Sequence, residues 1–205
     1  MRRTREEAEQ TRQELLTTAM FCYADHGINN VSLKAIAAEA GVTHGAFYWH
    51  FKNRDDLLIA LAQVVDLPFE QHLLEQLQAI EQNALEALRD FMVQVTLDVM
   101  NDRHSKAVYN LFYSRQQMLP DLEDLNDILD QNLQEWLSYI DRFLKQARKQ
   151  KQVKKKTRNQ PLAEMFLAQM FGVLALDMRL TPQPAQQKAL VETAFDSLVQ
   201  GIMAD

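Results

Sequence analysis

Aromatic and basic side chains crowd into one short stretch of this sequence. The segment GVTHGAFYWHFKNRDDLL, residues 41–58, contains four aromatic rings, two histidines, one lysine and one arginine. No carboxylate occurs between Glu39 and Asp55, although the whole chain has a formal net charge of −6. Rings can contact thymine methyl groups, while hydroxyl and imidazole groups can bond to phosphates or base edges. An acid-free surface of this composition therefore suits contact with duplex DNA.

Helical periodicity divides these side chains between an inward and an outward set. Val42, Phe47 and Phe51 are predicted to point inward, because so small a helical block needs them for its core. Trp49 fits either groove contact or packing. The residues predicted to face outward or to lie at the rim are Thr43, His44, Gly45, Ala46, Tyr48, Trp49 and His50.

Three cations, Lys34, Lys52 and Arg54, flank this set and are predicted to neutralise backbone phosphates. His44 and His50 lie six residues apart and do not share a helical face, so we predict no metal site. We also predict no cofactor and no enzymatic activity. The sequence has no glycine-rich phosphate loop, no carboxylate pair on one apolar helical face and no nucleophile beside a base.

The elements that must position this surface begin at the N-terminus. Thr4 and Glu7 can form a capping box, and Gly27 suits the left-handed residue that ends the first helix. Ser32 begins a second helix, which stops at Gly41, where the chain must take a positive φ.

Thr43 can cap a very short third helix that runs to about His50, and Asn53 can cap a fourth. Two short helices joined by a glycine turn and braced by another helix form a helix-turn-helix.

The rest of the chain is predicted to form longer helices with prolines at the gaps, and no alternating strand pattern occurs. The predicted helices span about 84–103, 105–118, 122–151, 161–180 and 185–203. We therefore predict an all-α fold with two parts. Residues 1–52 form a three-helix, helix-turn-helix DNA-binding block, and residues 53–205 form a larger antiparallel helical bundle for ligand binding and dimerisation.

Composition is typical of a soluble protein with a sizeable core, with 47% hydrophobic and 24% charged residues in 205. The lone cysteine, Cys22, excludes an intrachain disulfide. The N-terminus lacks the apolar run of a signal peptide, and the apolar stretch MFLAQMFGVLAL is too short to span a bilayer. We predict a cytoplasmic protein with no membrane partner.

The segment SLKAIAAEAGVTHGAFYWHFKNRDDLL resembles the DNA-binding signature of the TetR family of bacterial transcriptional repressors. Its A-G-V-T, the following Y-W-H-F-K-N-R and the trailing L-L stand at the family's spacing. VTHGAFYWHFKN is especially similar to the AcrR-like branch, which represses multidrug-efflux operons. The resemblance implies a homodimer that binds a near-palindromic operator in double-stranded DNA and is released by a small-molecule inducer.

The resemblance also implies roles for individual residues. Phosphate contacts are implied for Ser32 and His50, with Arg54 at a position usually held by lysine. His44 departs from the pattern, because many similar relatives have arginine there, which grips guanine with two bonds. The implied groove contacts are those of Lys34, Thr43, His44, Gly45, Tyr48 and Trp49.

The last two predicted helices carry wide apolar faces, and two such helices per subunit can form a four-helix interface around a two-fold axis. Gly172 would let helices approach closely. Packing within one subunit is the alternative. The predicted interface residues are Leu167, Phe171, Leu174, Met178, Phe195, Leu198, Val199 and Ile202.

A wall of aromatic and methionine side chains, interrupted by a few polar groups, suits an adaptable pocket for apolar or amphipathic compounds. Each of these residues could instead be plain core. The predicted pocket residues are Thr96, Phe112, Tyr113, Gln116, Trp136, Tyr139, Phe143, Phe166, Gln169 and Met170.

The strongest basic run is RKQKQVKKKTR, residues 148–158. It is predicted to be a solvated connection between two long helices, with a DNA-binding tail as the alternative. The competing functions are a regulator of the same type that senses no ligand, or an activator. A helical protein-interaction module would leave the acid-free aromatic surface unexplained.

Overall fold

Helices make up most of the part of the chain that the computed structural model describes, residues 4–64, 66–114, 122–155, 157–180 and 183–204. The helices are α1 Arg5–His26, α2 Leu33–Glu39, α3 His44–His50, α4 Arg54–Val64, α5 Phe69–Glu75, α6 Leu77–Gln82, α7 Ala84–Asn101, α8 Arg103–Val108, α9 Glu123–Lys149, α10 Asn159–Leu180 and α11 Pro184–Ile202. The predicted all-α fold, with an N-terminal helix-turn-helix and a larger helical bundle, is confirmed.

The first compact unit comprises Met1–Asp66 and Ala107–Asp130. Its helices begin at the predicted caps. The hydroxyl of Thr4 accepts from the Glu7 backbone N–H at 3.2 Å, while the Glu7 carboxylate accepts from the Thr4 N–H at 2.8 Å. Gly27 ends α1 with a φ of 85°.

This first unit extends beyond the boundary that the sequence predicts at residue 52, because α4 packs on α1. Leu57, Leu58 and Leu61 of α4 are fully buried and share one helical face.

The second compact unit comprises Leu67–Lys106 and Gln131–Asp205. Helix α7 lies at its centre and contacts α5, α6, α10 and α11. An aromatic cluster fills part of the core. Phe69 stacks on Trp136 with ring centroids 4.7 Å apart, and Phe91 lies 4.8 Å from Phe143.

The stretch between α4 and α7 differs from the prediction. Helix α4 ends before Pro68, as expected, but the two short helices α5 and α6 were not predicted. Their seven and six residues are too short to show a helical period.

The predicted helix over 105–118 also differs. Helix α8 ends at Val108 and continues as a wider helical turn, Tyr109–Tyr113, in which the Ser114 N–H bonds to the Tyr109 carbonyl at 2.9 Å. Residues 115–118 of that prediction lie outside the described residues.

The basic run connects α9 to α10, as the sequence predicts. Two of its glutamines cap α7. The side-chain oxygens of Gln150 and Gln152 accept from the backbone N–H groups of Ala84 and Leu85 at 2.8 and 3.0 Å. This connection therefore satisfies donors at the start of α7 that would otherwise lack partners.

By length and composition, α10 and the segment Arg54–Glu75, which contains α4 and α5, are apolar enough to cross a bilayer. The core helix of a soluble bundle meets the same criterion. In α10, the apolar side chains of Leu162, Phe166 and Met170 are buried within the second unit. Packing therefore accounts for much of its apolar character.

Candidate nucleic-acid interface and effector region

Helices α2 and α3 are joined by a tight turn at Gly41, which has a φ of 68°. The Val42 N–H bonds to the Ala37 carbonyl at 2.9 Å across this turn. The Ser32 and Thr43 hydroxyls cap the two helices by accepting from Ala35 and Ala46 N–H groups at 3.1 Å each. These local contacts fix a helix-turn-helix in which α3 has one buried and one exposed side.

The rings of α3 separate as the helical period requires. Phe47 and Phe51 are buried, with 0% and 1% of their surface exposed, as predicted. Val42, the third predicted core anchor, is only partly buried, because it lies in the turn between α2 and α3. Tyr48 and Trp49 are 46% and 73% exposed. The exposure of Trp49 excludes the packing alternative within the subunit.

The other predicted DNA-facing residues differ in exposure. Thr43, His44, Gly45, Ser32, Lys34 and Lys52 are exposed, while Ala46 and His50 are partly buried. His44 meets Tyr48 edge to face with centroids 4.7 Å apart, and Trp49 meets His50 in the same way at the same distance. Helix α3 thus presents the exposed rings of Tyr48 and Trp49, each in contact with a histidine, and carries no acidic side chain. The DNA contacts themselves stay predictions.

Arg54 is oriented differently from Lys34 and Lys52. Its side chain is partly buried, and Nη2 donates to the backbone carbonyl of Val31 at 3.2 Å. The sequence offered no signal for this contact, because the two residues lie 23 positions apart.

Comparison with known proteins agrees with this geometry. Residues 15–61, which include α2, α3 and the turn between them, match the model of the bacterial regulatory proteins of the tetR family. The HTH-type transcriptional regulator TtgW of Pseudomonas putida is 34% identical over 105 residues, which cover 51% of this chain and 74% of TtgW. The chain belongs to the TetR family of bacterial regulatory proteins.

Other similar proteins include a transcriptional regulator and a repressor of a multidrug efflux pump. The transcriptional regulator AcrR of Shigella flexneri is 29% identical over 114 residues, which cover 56% of this chain. The chain spans about half the length of that relative, at 53%. SmeT, the repressor of the Stenotrophomonas maltophilia multidrug efflux pump SmeDEF, has a solved structure that covers 95% of this chain and 91% of its own, with 26% identity and a TM-score of 0.72. A SmeT–triclosan complex covers 96% and 93%, with 27% identity and a TM-score of 0.74.

The predicted effector pocket of this TetR-family chain is closely packed where the structure describes it. Trp136, Phe143, Phe166 and Met170 are 0–1% exposed. The Thr96 hydroxyl is already used, because it donates to the Met92 carbonyl at 2.6 Å.

Of the remaining pocket residues, Phe112 is buried, with 7% exposure, while Tyr113 and Tyr139 are partly buried. Phe112 and Tyr113 lie in the wider turn of the first unit, Gln169 is partly buried, and Gln116 lies outside the described residues. The hydroxyl of Tyr139 donates to Glu135 at 2.6 Å.

The predicted dimer residues divide into two groups. Leu167, Leu174, Phe195 and Ile202 are 6% exposed or less, so within one subunit they belong to the core. The other four, Phe171, Met178, Leu198 and Val199, are partly buried. The more exposed apolar side of α10 instead carries Met165, Leu176 and Leu180, at 38%, 48% and 65% exposure. Sequence periodicity found the apolar helices but did not decide which side faces outward, since both sides are apolar.

A surface groove of about 510 Å³ lies between α7 and the end of α11. Its lining includes one predicted dimer residue, Val199, and none of the predicted pocket residues. Arg89 bridges its walls, with Nε donating to Asp196 at 2.8 Å and Nη1 to Asp90 at 3.0 Å. These carboxylates raise the pKa of the Arg89 guanidinium, Asp196 most strongly. The Arg89 guanidinium is therefore already paired with carboxylates, and its bond to Asp196 connects α7 to α11.

Proposed function

We propose that the protein is a ligand-responsive transcriptional repressor of an efflux-pump operon. In this proposal a homodimer binds a near-palindromic operator in the cytoplasm, and a small apolar or amphipathic molecule releases it. The observation that carries the proposal is the exposed, acid-free side of α3 with Tyr48 and Trp49, together with the exposed lysines Lys34 in α2 and Lys52 after α3.

Physical chemistry supports α3 as the part that enters the major groove. Exposed aromatic rings are costly to leave in water, and the helix that carries Tyr48 and Trp49 has no acidic side chain. Two copies of α3 in a two-fold dimer would read successive grooves about 34–36 Å apart.

Fluorescence anisotropy with the DNA upstream of the gene tests this directly. Binding should weaken steeply with salt, because each neutralised phosphate contributes about 0.9 to the slope of log K against log salt. A flat salt response would contradict phosphate contact.

The variant Tyr48→Ala tests whether the exposed side of α3 contacts the operator. The variant should lose about tenfold or more in operator affinity, while its melting temperature and its mass in solution stay those of the wild type. Leu74→Ala is a matched control. Leu74 is 59% exposed and lies in α5, outside the helix-turn-helix. A Tyr48→Ala protein that is monomeric or unfolded would indicate a structural role instead.

Dimerisation is supported by the outward side of α10. Met165, Gly172, Leu176 and Leu180 follow each other at helical spacing, and each is exposed. A second copy related by a two-fold axis would present the same side and bury it. This outward side replaces the four core residues of α10 and α11 in our proposed interface.

Ligand sensing is supported by the relatives named above, one of which has been solved with triclosan. In this chain the aromatic cluster of Phe69, Phe91, Trp136 and Phe143 would have to open, or shift, to admit a ligand. A ligand can then weaken DNA binding only by the difference between its affinities for the two subunit shapes.

The close packing of that cluster also favours the second candidate, a TetR-family regulator that binds DNA without sensing a ligand. A thermal-shift screen with triclosan and cationic dyes separates the two. Stabilisation together with loss of operator binding supports the responsive repressor. No shift with any compound, while operator binding is intact, supports the second candidate.

A further inference from the structure

Arg54 opens α4, and the sequence alone groups it with the phosphate-binding cations of the helix-turn-helix. In the structure its guanidinium turns towards the interior of the first unit. Nη2 donates to the carbonyl of Val31, which is 7% exposed and directly precedes the N-cap of α2, Ser32.

The surroundings of this guanidinium are those of an interior group. Its Nε is buried, as is the hydroxyl of Tyr23 in α1. Tyr23 is 0% exposed. Burial raises the pKa of its phenol, while the charge of Arg54 and a side-chain hydrogen bond with Arg54 lower it. The arginine is therefore close to α1 as well as to Val31.

The flanking lysines differ from Arg54 in their exposure to solvent, which decides whether a side chain can reach DNA. The side chains of Lys34 and Lys52 are exposed. A cation that already donates to a backbone carbonyl inside the protein has fewer free N–H groups for a phosphate than an exposed ammonium group. Arginine also suits the internal role better than lysine, because its planar fork can address two groups at fixed angles.

We infer that Arg54 is a positioning residue and not a phosphate ligand: it fastens the first turn of α4 to the residue that precedes α2. Because α2 and α3 are joined by the rigid turn at Gly41, this contact sets the place of the DNA-facing helix relative to α4. The inference rests on the proposed operator binding, and it departs from the phosphate contact that the sequence implies for this position.

The test measures operator affinity over a series of salt concentrations for wild type, Arg54→Gln and Lys52→Gln. Lys52→Gln should give a shallower slope of log K against log salt, by about 0.9 for each phosphate that the lysine neutralises. Arg54→Gln should bind about tenfold more weakly at every salt concentration, which is the effect of removing one hydrogen bond to a charged group, with an unchanged slope. A slope for Arg54→Gln that falls as it does for Lys52→Gln would overturn the inference.

Arg54→Lys provides the second comparison, and it remains informative if the glutamine variant does not fold. A phosphate ligand would be replaced by lysine with little effect on affinity, since lysine carries the same charge. A positioning residue would not, so Arg54→Lys should keep the wild-type slope and still bind more weakly. Full affinity for Arg54→Lys would overturn the inference.

Failure of the inference and failure of the proposed function can be told apart. If wild type shows no salt-dependent operator binding, the proposed function fails. If wild type and Lys52→Gln behave as expected and only the Arg54 variants do not, the inference alone fails. Circular dichroism melts of each variant should confirm that binding is measured on folded protein.

Discussion

At the residue scale, alternating exposure along α3 explains how one short helix serves both the core and a surface. Phe47 and Phe51 lie four positions apart on the buried side, with ring centroids 5.7 Å apart. His44 and Tyr48 have the same spacing on the exposed side. Residues four apart are neighbours on a helix, so each side gains its own ring contact.

The buried phenol of Tyr23 gives a prediction about alkaline pH. Burial raises its pKa above the ordinary value of about 10, so the unfolded chain loses this proton first as pH rises. The stabilising effect is full below about pH 10 and is lost as pH rises through the folded-state pKa. The free energy of unfolding, measured with urea between pH 8 and 11, should therefore fall above about pH 10.

Tyr23→Phe should make this alkaline decline shallower, because the titrating hydroxyl is gone. Burial also raises the pKa of Tyr109. The variant Tyr109→Phe should therefore remove a further part of the alkaline decline in the free energy of unfolding. An alkaline decline that is identical in wild type and both variants would contradict the assignment.

At the element scale, the helix starts follow from local chemistry that the sequence shows. Asn53 caps α4 by accepting from the Asp56 N–H at 2.8 Å, and the Asp56 carboxylate accepts from the Lys52 N–H at 2.9 Å. Such caps join residues three or four apart, so they can be predicted without knowing the tertiary fold.

Gly41 and Gly45 provide a matched pair for the helix-turn-helix. A Cβ added at either would meet no atom within 4 Å, so backbone conformation and not crowding decides the effect within the protein. Gly41→Ala should destabilise the fold by about 1–2 kcal/mol, because an L-residue resists its positive φ. Gly45→Ala lies in α3 and should be neutral or stabilising by up to about 1 kcal/mol.

The same two variants separate stability from DNA binding. If α3 lies in the major groove, the added methyl of Gly45→Ala should reduce operator affinity even though the protein melts no earlier than wild type. Gly45→Ala that binds DNA as wild type would place residue 45 away from the bases. Thermal melts and anisotropy titrations of both variants provide the two readouts.

At the scale of the whole molecule, function in our proposal depends on a second copy of the chain. A helix-turn-helix that reads one half-site gains operator specificity when a two-fold partner reads the other. The outward side of α10 is therefore as important to the proposal as α3, although it contacts no DNA in the proposal.

Leu180→Arg tests that surface. Leu180 is 65% exposed, so the charge should leave the subunit folded but should halve the mass in analytical ultracentrifugation and weaken operator binding. Leu74→Arg is the control, with 59% exposure at a site outside the proposed interface. A dimeric Leu180→Arg protein would direct the search to another surface.

The sequence by itself determined the features that depend on near neighbours in the chain. The all-α class, the caps at Thr4, Ser32 and Thr43, and the division of the α3 rings all follow from contacts within about one helical turn. The absence of acids between Glu39 and Asp55 is likewise visible in the sequence.

Only the tertiary structure decided what distant residues do to one another. In the folded chain Arg54 bonds to Val31, and Arg89 bonds to Asp196, which is 107 positions away. The aromatic cluster around Trp136 also depends on such distant contacts. The tertiary structure also decided which apolar side of α10 faces outward. Periodicity cannot decide such matters, because an apolar or charged side chain has several possible partners and the packing of whole helices selects among them.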